Sequence, residues 1–152
     1  MLQLTKRTEY GLIALVHMVD RNGEFVSARE VSDQYPIPKR LLAEVLKDLS
    51  KSGLVDSQRG ATGGYALARD AEAITVGDIV SALEGAPTLA SCETDSPADR
   101  AGGCEVEPVC PIRSPLQRIR EGIWRQMERT SLRALVTPTP TPLISSPDSA
   151  TS

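Results

Sequence analysis

Residues 55–67 read V-D-S-Q-R-G-A-T-G-G-Y-A-L and form the most informative stretch of the chain. Two short strand-like pieces, over 54–58 and 65–68, flank a turn that contains three glycines with Arg59 at its shoulder. The pattern predicts a β-hairpin with a mobile, cationic tip. A structural hairpin needs only one or two glycines, so three beside an arginine favour a loop whose backbone approaches another molecule closely. A solvated turn between two edge strands is the alternative.

The residues before this hairpin predict two helices joined by a tight turn. Ser27 and Glu30 form a capping box, in which the Ser27 side chain caps the Glu30 amide and the Glu30 carboxylate returns to the Ser27 N–H. The helix must end by Tyr35, because prolines follow at 36 and 38. A second helix, from about Lys39 to Ser52, has leucine or valine at 42, 45, 46 and 49. Together with the hairpin, these helices predict a winged helix-turn-helix.

This interpretation gives the polar residues of the second helix a role in DNA binding. The helix would enter a major groove, and Arg59 would reach an adjacent phosphate or the minor groove. Arg40 and Glu44 lie one turn apart near the helix start and are candidates for contacts with base edges. The lysines of the same helix are placed to contact phosphates. The predicted DNA-binding residues are Lys39, Arg40, Glu44, Lys47, Arg59 and Gly63. An ordinary helical hairpin with a solvated face is the alternative.

Composition narrows the functional class. The 152 residues carry a net charge of -3, but the basic residues are grouped locally, so the overall charge does not exclude a DNA-binding protein. The sequence has neither an apolar run of eighteen residues nor a charged-then-apolar leader, so no membrane association is expected and the cytoplasm is the default location. An enzyme is the least expected class, because there is one histidine and no nucleophile constellation or phosphate-binding loop.

Helical spacing returns twice after the hairpin. A capping motif over 75–78 opens a helix that runs through Leu83. From Pro115 to about Leu135 an apolar stripe predicts a longer helix, with the residues Leu116, Ile119, Ile123, Trp124 and Met127. Such a helix needs an apolar partner, and the same helix of a second copy is the economical one, since most operators are two-fold symmetric. Folding back onto its own domain is the alternative.

The predicted fold class is mainly α with a small β-hairpin. Four parts are expected: a winged helix-turn-helix domain over 1–86, a cysteine-bearing loop over 87–113, a dimerisation helix over 114–135 and a tail over 136–152. The tail contains a Thr-Pro repeat and a serine-rich end, which cannot form a core and indicate disorder.

The three cysteines are Cys92, Cys104 and Cys110, with the spacing C-x11-C-x5-C. Structural disulfides are not expected in a cytoplasmic chain, and an odd number cannot be fully paired within it. Three thiolates on one glycine-containing loop can converge on a soft metal, either zinc or an iron-sulfur cluster. The spacing matches neither a zinc ribbon nor the ferredoxin pattern. The chemistry alone leaves three possibilities open: a cluster, a zinc site or thiol switch, and cysteines with no such role.

Several motifs together resemble the Rrf2 family of bacterial winged-helix regulators, which includes the iron-sulfur cluster biogenesis regulator and the nitric-oxide-sensing repressor. The first is L-T-K-R-T-E-Y-G-L over 4–12, and the second is the hairpin sequence S-Q-R-G-A-T-G-G-Y-A-L over 57–67. The others are I-T-V-G-D-I over 74–79, L-E-G over 83–85 and the three cysteines before the helix that contains Trp124. The resemblance covers roughly residues 1 to 135.

The resemblance implies a homodimeric DNA-binding regulator, a repressor, that senses redox, nitric oxide or iron-sulfur status. Cys92, Cys104 and Cys110 match the cysteines that hold the family's [2Fe-2S] or [4Fe-4S] cluster, and Arg59 matches its wing arginine. Glu9 falls where nitric-oxide sensors of the family present an acidic ligand from the partner subunit. Arg113 departs from the cluster biogenesis regulator, which has a histidine at that place. A metal-free or zinc-containing regulator, with structural or switching cysteines, is the alternative.

Overall fold

The computed structural model describes residues 3–85 and 105–137 of the chain. This part contains six α-helices and one two-stranded antiparallel sheet. In chain order the elements are α1 Lys6–Val19, α2 Ala28–Gln34, α3 Lys39–Lys51, β1 Val55–Gln58, β2 Gly64–Leu67, α4 Val76–Leu83, α5 Arg113–Arg129 and α6 Leu132–Val136. A single turn of 3-10 helix, Glu107–Val109, precedes α5. The predicted class, mainly α with a small hairpin, is the observed one. Most of the predicted cysteine loop and all but the first two residues of the predicted tail lie outside the described residues.

One hydrophobic core joins the helices that flank the sheet. The apolar positions predicted for α3 all point into it, and Leu42, Val45, Leu46 and Leu49 are fully buried. Leu15 of α1 and Ile79 of α4 are buried in the same cluster. Burial of leucine, isoleucine and valine, rather than of aromatic residues, therefore stabilises the fold.

The capping motif predicted before α4 is confirmed in both of its hydrogen bonds. Thr75 Oγ1 accepts from the Asp78 N–H at 3.1 Å, and Asp78 Oδ2 accepts from the Thr75 N–H at 3.0 Å. The capping box predicted before α2 is only half right. Ser27 Oγ accepts from the Glu30 N–H at 3.0 Å, but Glu30 Oε1 accepts from Arg21 and lies 3.0 Å from His17 Nε2. The His17 ring near the end of α1 and the Arg21 guanidinium just after it hold the Glu30 carboxylate away from the Ser27 N–H.

The C-terminal helix differs from the single helix predicted over 115–135. It ends at Arg129, Thr130 is extended, and Ser131 caps α6 by accepting from the Ala134 N–H at 3.1 Å. The extended residues pair with the segment before α4: Thr130 O accepts from the Val76 N–H at 2.8 Å, and Ile74 O accepts from the Leu132 N–H at 2.7 Å. These bonds satisfy the backbone groups that the break leaves without helical partners.

α6 returns to the core while α5 does not. Leu132 is completely buried in the core and α6 contacts α1, so this last helix of the described residues folds back on its own domain. None of the residues of α5 is buried, and Ile119 is 53% exposed. Residues 3–85 and 105–137 therefore cover its apolar stripe only in part.

Candidate nucleic-acid interface

The outer face of α3 carries the residues predicted to contact DNA. The buried side of this helix fixes its rotation, so Lys39, Arg40, Glu44, Lys47 and Lys51 are all exposed on the opposite side. Before it, Tyr35 is extended and Ile37 is buried between two prolines, which makes the turn from α2 to α3 tight. The structure thus presents the predicted recognition helix on the surface, as the helix-turn-helix interpretation requires.

Weak ion pairs organise this outer face. Arg40 is 94% exposed and its Nε lies 3.5 Å from Glu44 Oε1, one turn along the helix. Lys39 Nζ lies 3.7 Å from Asp33 Oδ1 at the end of α2. Exposed pairs of this kind contribute less than about 1 kcal/mol each, so phosphate or base contacts can replace them at little cost.

The hairpin, residues 55–67, forms the wing. Its strands pair in the register Val55↔Leu67 to Gln58↔Gly64, and Arg59 lies exposed at the tip. Tyr65 of β2 and Val26 exchange two backbone hydrogen bonds of 2.8 Å. They form an isolated antiparallel bridge on the side of β2 that does not face β1. Since Val26 directly precedes Ser27, the cap of α2, these bonds fix the wing against the helix-turn-helix. Sequence reasoning missed this anchor; the only local signal was the apolar pair at 25 and 26.

Close contacts with the chain's own backbone explain two of the wing glycines, which the sequence did not suggest. A Cβ at Gly63 would lie 2.3 Å from the Gln58 carbonyl oxygen, and one at Gly64 would lie 2.4 Å from the Val26 carbonyl oxygen. Gly64 also has a positive φ of 153°. Only Gly60, with φ 109°, has open space around it. Contacts within the chain therefore require glycine at 63 and 64, while an approach of this loop to another molecule, including a DNA contact by Gly63, stays a prediction.

The start of α1 is tied to the end of α4. Glu84 Oε1 accepts from the Thr5 N–H at 2.8 Å and from the Thr5 hydroxyl at 2.6 Å, while Thr5 caps α1. Burial alone would raise the pKa of the Glu84 carboxyl, but the hydrogen bonds from Thr5, together with the nearby Thr8 hydroxyl, outweigh this effect and hold the pKa below its usual range. The E in the L-E-G motif over 83–85 therefore has a structural task that sequence reasoning did not assign.

We expect Glu84→Gln to remove a pH-dependent contribution to the free energy of unfolding. Because the folded-state pKa is lowered, the contribution is present near neutral pH and is lost as the pH falls through that pKa. Since Glu84 is exposed, the loss at pH 7 should be less than about 1 kcal/mol. Urea unfolding of both proteins between pH 7 and 3 measures the difference, which should shrink toward low pH. Glu72→Gln, an equal charge change at an exposed site, should show no such trend; a trend of equal size there would refute the assignment.

The candidate metal ligands are only partly described. Cys110 is partly exposed between the 3-10 turn and α5, whereas Cys92 and Cys104 lie outside the described residues. Glu9, in the first turn of α1, has its Oε2 at 2.5 Å from Lys6 Nζ, and this carboxylate raises the pKa of the lysine. Within residues 3–85 and 105–137 no group of three or more His, Cys, Asp or Glu side chains could hold a metal ion. Arg113 is the first residue of α5.

In the same two ranges no helix combines the length and the apolar character needed to span a lipid bilayer.

Comparison with known proteins agrees with this architecture. The structure of CymR (YrzC), the global cysteine regulator of B. subtilis, has a TM-score of 0.69 and 30% sequence identity, covering 91% of this chain and 99% of that one. IscR of T. potens has a TM-score of 0.67 and 26% identity, covering 89% and 86%. CymR of Staphylococcus aureus has a TM-score of 0.67 and 25% identity, covering 90% and 100%.

The profile of the Rrf2 family, described as an iron-dependent transcriptional regulator, matches residues 4–138. This match confirms the resemblance drawn from the motifs and the winged-helix class of the fold. It also confirms that the chain is a regulator and not an enzyme. The chain belongs to the Rrf2 family of transcriptional regulators.

Proposed function

We propose that the chain is a sequence-specific DNA-binding repressor that acts as a homodimer and carries an iron-sulfur cluster. The DNA-binding part rests on one observation above all: the exposed outer face of α3 lies beside a wing that the Val26–Tyr65 hydrogen bonds fix to the same domain. In this proposal α3 enters a major groove, with Arg40 and Glu44 at base edges. Phosphates and the minor groove are contacted by Lys39, Lys47, Arg59 and the backbone at Gly63.

The apolar stripe of α5 supports the homodimer. Ile119 is 53% exposed and the remaining stripe residues Leu116, Ile123, Trp124 and Met127 are only half-buried. Beside the stripe, a cavity of about 210 Å³ has an apolar lining that includes Val76, Met127 and Leu135. A second copy would cover these side chains and would place two recognition helices on one two-fold operator.

The cysteines support the cluster. Three thiols within nineteen residues are ligands that iron-sulfur clusters use, and the family is described as iron-dependent. Cys92, Cys104 and Cys110 would hold a [2Fe-2S] or [4Fe-4S] cluster, and Glu9 of the partner subunit would complete its coordination. Glu9 would then have to leave Lys6, with which it pairs within one copy. A bound cluster supplies redox chemistry and reactivity toward nitric oxide.

The position of Cys110 suggests how such a signal reaches DNA. Cys110 lies three residues before α5, and the other end of α5 is tied to the start of α4 by the pairing of Thr130 and Leu132. Ordering the cysteine segment would fix the start of α5, and the geometry of α5 would set the separation of the two recognition helices. Binding at the cysteines can shift this equilibrium only by its difference in affinity for the two geometries. As a transcriptional regulator the protein would act in the cytoplasm, where bacterial DNA is located.

The test is an absorption spectrum with iron and sulfide analysis on protein purified without oxygen. We expect visible charge-transfer bands with iron and sulfide in equal amounts, and their loss in Cys110→Ser. Serine keeps the shape of the side chain but removes the thiolate, so a folded, colourless variant would assign the ligand. A colourless wild-type protein that contains zinc or no metal would contradict the cluster and favour the metal-free or zinc-containing regulator, while leaving the DNA-binding part standing.

A further inference from the structure

Arg7 connects the first turn of α1 to the recognition helix α3. Its Nη2 donates a hydrogen bond to Asp48 Oδ2, and its Nη1 lies 3.9 Å from Glu44 Oε2. Glu44 and Asp48 are one turn apart on α3, so one guanidinium faces both carboxylates. The side chains of Arg7 and Asp48 are each 36% exposed, which places this contact at the edge of the outer face of α3.

Gly11 explains why Arg7 meets these carboxylates. A Cβ at Gly11 would lie 2.7 Å from Leu83 Cδ1 of α4 and 3.3 Å from Val45 Cγ1 of α3, so the missing side chain lets α1 pack closely against both helices. Arg7 lies one turn before Gly11, and Asp48 lies about one turn after Val45. The crossing therefore brings Arg7 and Asp48 together as a consequence of core packing.

The same contact limits the freedom of Glu44. One carboxylate oxygen of Glu44 lies 3.5 Å from Arg40 Nε, and the other faces Arg7 at 3.9 Å. Glu44 is half-exposed, with its carboxylate held between two cations. In a major groove a carboxylate accepts a hydrogen bond from the amino group of cytosine, whereas phosphates repel it. Whether the Glu44 carboxylate can contact a base edge thus depends on where Arg7 and Arg40 hold it.

We propose that Arg7 is a positioning residue for DNA readout: it neutralises Asp48 at the groove edge and orients Glu44 toward a cytosine amino group. The inference rests on the proposed role of α3 as the recognition helix. It differs from a phosphate contact by Arg7, which would carry no sequence information. Removing a phosphate contact would weaken binding to all sequences alike. It would also reduce the slope of log affinity against log salt concentration by about 1.

The test selects duplexes from a random-sequence pool with anaerobically prepared full-length protein, and then measures affinities for the selected duplex. The proteins are wild type, Arg7→Gln, Asp48→Asn, the double variant and Arg7→Lys. We expect Arg7→Gln to reduce affinity for the selected duplex about fivefold and to weaken the preference for cytosine at one position. Arg7→Lys keeps the charge but cannot face two carboxylates with one planar fork, so it should also weaken that preference.

The double variant separates positioning from a direct contact. If Arg7 acts through Asp48, its replacement should cost less in the Asp48→Asn background than in the wild type. Lys6→Gln, an equal charge change at the neighbouring exposed residue, should leave the cytosine preference unchanged. The inference would be overturned if the affinity losses of Arg7→Gln and Asp48→Asn were additive and the cytosine preference did not change. It would also be overturned if Lys6→Gln lost the cytosine preference. Failure of the wild-type protein to select any duplex would overturn it together with the proposed function. Thermal unfolding of each variant checks that the fold is kept.

Discussion

Leu132→Ala is expected to lower the free energy of unfolding by about 2–5 kcal/mol, the range for a buried leucine whose loss leaves a cavity. Leu132 is completely buried, although it belongs to a helix of five residues near the end of the described chain. Its backbone N–H also donates to the Ile74 carbonyl at 2.7 Å, so the residue joins the end of α5 to the segment before α4. Urea unfolding followed by circular dichroism measures the change.

Leu135→Ala provides the matched control for Leu132. It removes the same atoms from the same short helix, but Leu135 is 40% exposed. Leucine and alanine both favour helices, so the helix itself should tolerate either change. We expect a loss of less than about 1 kcal/mol for Leu135→Ala at protein concentrations that keep the chain monomeric, because the proposed second copy would cover Leu135. Equal losses for the two variants would show that α6 is not anchored in the core as described.

Arg59→Ala is expected to weaken binding to the operator by about 1–3 kcal/mol if the wing contacts DNA. Arg59 is exposed at the wing tip, and the sheet beneath it is hydrogen-bonded to Val26, directly before the cap of α2. Fluorescence anisotropy with a labelled duplex over a series of salt concentrations gives the affinity. The salt dependence should become shallower if the contact is with phosphate.

Arg69→Ala is the control for Arg59, because Arg69 is also an exposed arginine but lies beyond β2, beside the end of α1. Its removal lowers the net charge equally and should change affinity much less. Similar losses at the two positions would mean that overall charge, and not the wing tip, determines the binding.

The helix α3 was predictable because its pattern is local. Leucine and valine at 42, 45, 46 and 49 follow helical spacing, and the structure buries all four. The capping motif over 75–78 was equally local, and both of its hydrogen bonds form. Short-range patterns of this kind are fixed by the periodicity and by side chains that bond to nearby backbone groups.

The features that sequence reasoning missed depend on contacts between distant residues. Glu30 had the spacing of a capping box, but Arg21 and His17 at the end of α1 compete for its carboxylate. The break at Thr130 has no glycine or proline to mark it, and it is stabilised by backbone bonds to residues 74–76. Gly64 is required by the Val26 carbonyl, which lies 38 positions earlier in the chain. Tertiary packing decided each of these cases.

The candidate site likewise combines residues that local patterns predict with contacts that only the tertiary structure shows. The exposed residues of α3 and Arg59 were found from the helical pattern and the turn composition. The contacts of Arg7 with Asp48 and Glu44 could not be found, since they arise from the crossing of two helices at Gly11. The cluster ligands were assigned from the family resemblance, and Cys92 and Cys104 lie outside the described residues.

The most direct measurement is the affinity of cluster-loaded and cluster-free protein for one duplex selected from random sequence, made anaerobically at one salt concentration. Coupling between two sites in one protein is typically 1–3 kcal/mol, so we predict affinities that differ by about fivefold or more. The difference should disappear in Cys110→Ser, which would bind as the cluster-free protein does. Equal affinities of the loaded and the cluster-free wild type would contradict regulation through the cysteines, even if both forms bind the duplex tightly.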